Sequence, residues 1–241
     1  EMDKIDFNDP TTLAVLATAV IGLLTVLLLV LKSFASSNKN RVLFVGLMDC
    51  GKTTIFTQLS QKEAEYPTTT KTYTSMVENK ITLRIKDKEK EIIDYPGNDR
   101  LRQKLIENHL HSRSLLRIVF VVDSAAFSKN ARDVAELFYT VALENVDKVP
   151  ILIACHKQDL SLAKTEKVIR NSLEKEIGLI NKSRAAALIG TDGSEEKRST
   201  LTDTGIDFKW EDLKKQEVSF VSTSSNSEDF GVHEIASFVR A

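Results

Sequence analysis

Apolar and polar positions fall into a few distinct rhythms along the chain. The first is an uninterrupted run from Thr11 to Leu31 without a charged residue. As a helix it would measure about 30 Å, the hydrocarbon thickness of a bilayer, and it predicts one transmembrane helix over 11–31. A cleaved signal peptide begins basic and has a shorter apolar core, whereas Glu1, Asp3, Asp6 and Asp9 stand before this run and Lys32, Lys39 and Arg41 after it. That asymmetry predicts a short lumenal N-terminus over 1–10, a linker over 32–40, and a cytosolic domain over 41–241.

The second rhythm is a succession of short apolar runs separated by helical periods. Arg41–Val45 reads as a buried strand, and 53–59 as the amphipathic segment after it. Thr72–Val77 and Ile81–Ile85 alternate as two strands around a Glu78-Asn79-Lys80 turn, and Glu91–Ile93 is a third short strand. Arg100–Arg113 has helical spacing, with Leu101, Leu105 and Leu110 near one face. Leu115–Asp123 and Val149–Cys155 have the near-continuous apolar character of central parallel strands. Between them Ala131–Asn145 places Val134, Leu137, Phe138 and Val141 at three-and-four spacing. Leu162, Ile169, Leu173, Ile177 and Ile180 continue the helical period, which lapses over 181–216. There Thr191–Thr200 reads as a solvated loop, and Phe208–Leu213 as a small element that docks a partner or, by preference, packs on the core. Glu217–Ser222 is a last strand, and Val232–Val239 a closing helix. Such alternation predicts an α/β fold, a doubly wound, mainly parallel sheet with helices on both faces and its ligands at the carboxyl ends of the strands.

Composition narrows the function classes. A chain of 241 residues with 42% hydrophobic and 28% charged positions has room for one α/β domain and an accessory segment. The formal net charge of −1 offers no basic excess for nucleic-acid phosphates. The two cysteines, Cys50 and Cys155, form no disulfide framework, and the four histidines have no metal-ligand spacing to them.

The chemistry concentrates where strands end. After the first strand comes Gly46, four residues including Asp49 and Cys50, and then Gly51-Lys52-Thr53-Thr54, the spacing of a phosphate loop between strand and helix. Gly46 and Gly51 would let the backbone turn its N–H groups inward around phosphates, Lys52 would reach the β/γ-phosphates, and the Thr53 hydroxyl would ligate Mg²⁺. The threonine-rich stretch after Pro67 is placed to sense the γ-phosphate and Mg²⁺, with Thr68 favoured over Thr69 and Thr70. Asp94-Tyr95-Pro96-Gly97 supplies a carboxylate for the Mg²⁺ shell and a backbone N–H for the γ-phosphate. His156-Lys157-Gln158-Asp159 follows a buried strand and has the layout of a guanine reader, in which Asp159 accepts from N1–H and N2–H₂ of the base. The last loop, Thr223–Asn226 with Ser224 and Ser225, is placed for its backbone to touch the guanine oxygen.

Taken together these motifs resemble the Ras-like small GTPases over about 41–241. The stretches Val45–Thr53, Asp94–Gly97, Val119–Phe127, Asp133–Tyr139 and Leu152–Asp159, joined to the apolar N-terminal run, are similar to the β-subunit family of the eukaryotic signal recognition particle receptor. The resemblance implies a GTP- and Mg²⁺-binding P-loop fold, anchored at the endoplasmic reticulum membrane. It further implies that the protein holds the N-terminal domain of the receptor α subunit and receives ribosome–nascent-chain complexes at the translocon. Two departures stand out. His156 replaces the usual asparagine, and Asn98 occupies the position where many GTPases carry the glutamine that orients the attacking water. Asparagine is one methylene shorter, so slow intrinsic hydrolysis is expected. A trafficking switch of the ADP-ribosylation-factor type and a nucleotide-independent scaffold are the alternatives.

Overall fold

The sheet is built outward from strand β1 (Arg41–Val45), whose alternate side chains serve two cores. The computed structural model describes residues 10–35, 39–63, 78–85, 88–189, 200–202, 207–226 and 231–241. The chain divides into two units, 1–38 and 39–241. The first contains helix α1 (Pro10–Ala35).

The transmembrane expectation for Thr11–Leu31 is overturned. Among the described residues no helix is long and apolar enough to cross a membrane. The single-pass anchorage expected from that span is not retained, and residues 1–9 of the expected lumenal segment lie outside the described residues.

Among the described residues the second unit holds a six-stranded sheet in the order β2-β3-β1-β4-β5-β6. Its other strands are β2 (Asn79–Ile85), β3 (Lys88–Asp94), β4 (Leu115–Asp123), β5 (Ile151–His156) and β6 (Val218–Ser222). The β2–β3 pair is antiparallel, and β3, β1, β4, β5 and β6 run parallel. Because side chains alternate along a strand, Leu43 and Val45 enter one core while Val42 and Phe44 enter the other. Helices α4 (Phe127–Glu144) and α5 (Glu166–Ile189) cover the first face; α2 (Lys52–Glu63) and α6 (His233–Arg240) cover the second.

Several expected boundaries move. The reversal assigned to Glu78-Asn79-Lys80 lies instead between Ile85 and Lys88, which face each other in the antiparallel register, so Asn79 and Lys80 belong to β2. The expected strand Thr72–Val77 and the loop residues Thr68, Thr69 and Thr70 lie outside the described residues. The helical segment after Gly97 is a composite: a 3₁₀ turn (Asp99–Leu101), one α turn, α3 (Arg102–Leu105), and a π turn (Ile106–Leu110), with Leu105 and Leu110 buried. Leu162 is exposed and precedes α5 rather than joining its period.

Helix α5 continues well beyond Asn181 because a buried polar network takes over from apolar spacing. Tyr139 donates its hydroxyl hydrogen to Asn181 at 2.7 Å, and Asn181 donates to the Thr202 hydroxyl at 3.0 Å. Phe208, Trp210 and Leu213 are buried, and Trp210 meets Phe138, Phe208 and Phe220 edge-on at centroid distances of 5.0–5.4 Å, so this element packs on the core.

Candidate functional site

At the carboxyl ends of β1, β3, β5 and β6 the sequence motifs converge. The first of them is the loop between β1 and α2. Gly46 lies against the Val121 carbonyl and the Cys50 sulfur, so a Cβ there would collide with both. Gly51 has φ of 98°, and Asp49 also takes a positive φ, 59°; these reversals curl the loop back towards the helix. Lys52 is buried and its ammonium group donates to the carbonyls of Gly46 at 3.0 Å and Leu47 at 2.7 Å. The side chain therefore lies across the inside of the loop. Thr53 and Thr54 open α2 directly behind it. Cys50 is buried, and desolvation pushes its thiol above the ordinary value, which keeps it protonated and unreactive.

The second part of the site joins that loop to β3. The Thr53 hydroxyl donates to Asp94 Oδ2 at 2.7 Å. Asp94 is buried, and its other oxygen, Oδ1, has no hydrogen-bond partner among the described residues. A buried carboxylate oxygen left in that state suits a hydrated cation, since the waters of Mg²⁺ are strong donors. Among the described residues no cluster of three or more His, Cys, Asp and Glu side chains makes a metal centre by itself. Mg²⁺ keeps several waters and needs only one or two protein groups beside phosphates, so Thr53 and Asp94 would suffice to hold it. Gly97 approaches the backbone of Gly46, Leu47 and Met48 so closely that any Cβ would clash, which brings the Asp94–Gly97 turn against the loop. Asn98 does not reach across it. Its Oδ1 accepts from the N–H of Arg100 at 3.0 Å and caps the 3₁₀ turn.

The third part comes from the ends of β5 and β6. His156 is buried; its Nδ1 lies 3.1 Å from the Thr223 hydroxyl and its Nε2 3.2 Å from the Ser225 hydroxyl. Its ring also fills the space beside Gly51. Burial, and then the neighbouring Lys157 charge, lower its pKa to about 4, so the ring is a neutral bridge between the phosphate loop and the last loop. Lys157, at φ 64°, donates to the Asp49 carbonyl and to Asp123 Oδ2, both at 2.6 Å. Its stem is thus laid along the loop. Asp159 is exposed and accepts from the Ser224 hydroxyl at 2.6 Å and from Asn226 Nδ2 at 3.3 Å. The Ser224 bond, chiefly, holds its carboxyl below the ordinary value. Gln58 of α2 donates to the Ser225 carbonyl at 3.0 Å and ties the last loop to the phosphate-loop helix.

Gly46, Asp49, Cys50, Gly51, Lys52, Thr53, Thr54, Asp94 and Gly97 therefore form one cluster, and His156, Lys157, Asp159, Ser224 and Ser225 form its continuation. Thr68 lies outside the described residues. Two supporting residues escaped sequence reasoning, Asn79 on Asp94 and Asp123 on Lys157, while within the expected last loop Thr223 supports His156 and Asn226 supports Asp159. For Asp123 a signal existed, since it ends a central parallel strand, where α/β sheets place their ligand contacts.

A family profile described as signal recognition particle receptor beta subunit matches residues 37–218. The chain belongs to this family. It is 34% identical over 228 residues to the human signal recognition particle receptor subunit beta, with 92% of this chain and 81% of that protein covered. Of solved structures, that of the mammalian SRP receptor superposes with a TM-score of 0.66 at 29% identity, covering 83% of this chain and 98% of that one. The SRb-GTP/SRX complex from Chaetomium thermophilum matches with the same TM-score at 22% identity, a likeness of fold. Members of the receptor β-subunit family have a GTPase fold, which carries nucleotide binding at the family level. The membrane anchorage that the sequence reading attached to the family is not retained for this chain, because no described helix can span a bilayer.

Proposed function

We propose that this protein binds GTP with Mg²⁺ and presents a GTP-dependent surface to the N-terminal domain of the receptor α subunit. The observation that carries the reading is the shared use of Asp94: one oxygen is held by Thr53 at the mouth of the phosphate loop while the other is buried and, among the described residues, unpartnered. The loop N–H groups and Lys52 would hold the phosphates, and Thr53 and Asp94 the cation. Mg²⁺ would supply charge neutralisation between the β- and γ-phosphates. Asp159 would read guanine through its carboxylate, with Ser224 and Asn226 fixing its orientation. Asn98, engaged in capping the turn that follows Gly97, is poorly placed to order an attacking water, which supports slow hydrolysis and a long-lived GTP state. A neighbour of like fold is described as an SRb-GTP/SRX complex, which supports a partner that meets the GTP form.

The test is direct. Binding of the α-subunit N-terminal domain is measured against the protein loaded with GTP, GDP or no nucleotide, alongside competition of GTP with ATP. Tight GTP binding and a preference of the partner for the GTP form are expected, with the partner raising GTP affinity by the same factor. Equal partner affinity for both nucleotide forms removes the switch, and failure to bind GTP removes the nucleotide reading altogether.

A further inference from the structure

Asp94 is the residue on which the site turns, and its neighbour in the sheet has no role in the phosphate-loop scheme. In the antiparallel hairpin the first residue of β2, Asn79, stands directly opposite Asp94. Its Nδ2 donates to Asp94 Oδ2 at 3.2 Å, the oxygen that also accepts from Thr53 at 2.7 Å. Two donors on one oxygen fix the carboxylate plane and leave Oδ1 as its free acceptor, buried and unpartnered among the described residues. Resting on the nucleotide reading above, we infer that Asn79 is a positioning residue for the cation: it holds Asp94 in the rotamer that turns Oδ1 to the hydration shell of Mg²⁺.

The placement of Asn79 is itself held from outside the site. The preceding Glu78 bonds the buried ring of His109 at 2.9 Å, in the π turn that follows Gly97, and pairs with Lys80 at 2.8 Å. The start of β2 is thereby pinned on one side to the composite helical segment and on the other to the metal carboxylate. Outer partners of this kind restrict a ligand to one geometry, so the cation loses less freedom on binding; removing one weakens a metal site by about tenfold or more. Cation occupancy and the position of the β2 end are linked through the Asn79 amide.

The release of a fluorescent GDP analogue from the full chain, followed as a function of Mg²⁺ concentration, tests this. In Asn79→Ala the Mg²⁺ concentration needed to slow release by half should rise about tenfold. The release rate in excess EDTA should stay that of the wild type, because the amide acts through the cation and not on the nucleotide. Asn79→Gln, which keeps a donor, should recover part of the effect, and Asn79→Ser provides a second truncation if the alanine variant folds poorly. An unchanged Mg²⁺ dependence in a truncated variant, or a loss equal with and without Mg²⁺, overturns the assignment. If the wild-type protein itself binds no guanine nucleotide, the broader reading fails and this one with it; if it binds with normal Mg²⁺ dependence, the fate of Asn79 is decided separately.

Discussion

Substituting Gly51 by alanine should damage the protein through two separable effects. The first is backbone: φ at Gly51 is 98°, a conformation that costs an L-residue about 1–3 kcal/mol. The second is contact, since the new Cβ would run into the imidazole of His156, with Nε2 only 2.9 Å away and Cδ2 closer still. The ring is held by its contacts to Thr223 and Ser225, and it can yield only by losing one or both, at about 1 kcal/mol each. The sum is about 2–5 kcal/mol, a large fraction of the stability of an ordinary domain and a fall in melting temperature on the order of 10 °C. Gly178→Ala is the control, because a Cβ there meets only Phe208 at 3.4–3.7 Å, ordinary contact, and alanine is the better helix former. Urea and thermal unfolding of both variants, with the double variant Gly51→Ala/His156→Ala, separate the effects. If the ring clash is real, the double variant loses less than the sum of the two single losses. Strict additivity would refute the clash, and a Gly51→Ala protein as stable as the wild type would refute the whole account.

Two further outcomes follow from the same residues. The unfolded chain takes up a proton at His156 near its ordinary pKa of 6.5, whereas the fold resists protonation down to about 4; this contribution is therefore complete above pH 6.5 and lost as pH falls towards 4, roughly 3 kcal/mol in all. His109 is also lowered by burial and acts in the same direction, so urea midpoints at pH 7.5 and 4.5 should differ strongly in the wild type and less in His156→Asn, and equal slopes in both would exclude His156 as the source. Asp159→Asn should weaken GTP and favour XTP in competition binding, because the carboxylate that would accept both guanine donors becomes an amide that can accept only one; an unchanged preference removes Asp159 from base reading.

Legibility in the sequence tracked how local each constraint is. Gly46, Gly51-Lys52-Thr53 and Asp94–Gly97 were readable because the chain must turn tightly at fixed spacings after an apolar strand, and the structure places them together. The boundaries of α5 were not. At Asn181 the apolar period stops, yet the helix runs on, because Asn181 satisfies Tyr139, Thr202 and the Leu201 N–H across long sequence separations. Glu78-Asn79-Lys80 misled in the opposite direction: three polar residues look like a turn when only neighbours are considered. In the sheet they are polar because of what stands opposite and behind them, Asp94 for Asn79 and His109 for Glu78. Thr11–Leu31 shows a different limit, since a run of apolar residues predicts a span from composition alone, and no described helix meets the requirement of length with apolarity.

The pattern of those failures bears on how the site works. Motif residues that touch phosphate or base are legible one at a time, whereas the groups that aim them are legible only through pairing across the sheet. His156 illustrates the difference. As one letter in an element that usually begins with asparagine it suggests a weakened site, but its two ring nitrogens reach the last loop and its Cδ2–Nε2 edge fills the space that Gly51 leaves open. Only a residue without a side chain at 51 and a neutral ring at 156 satisfy both conditions together. The glycine is therefore required twice, once by the backbone turn of the phosphate loop and once by the histidine, and a return to asparagine at 156 should make Gly51→Ala less costly by relieving the second requirement alone.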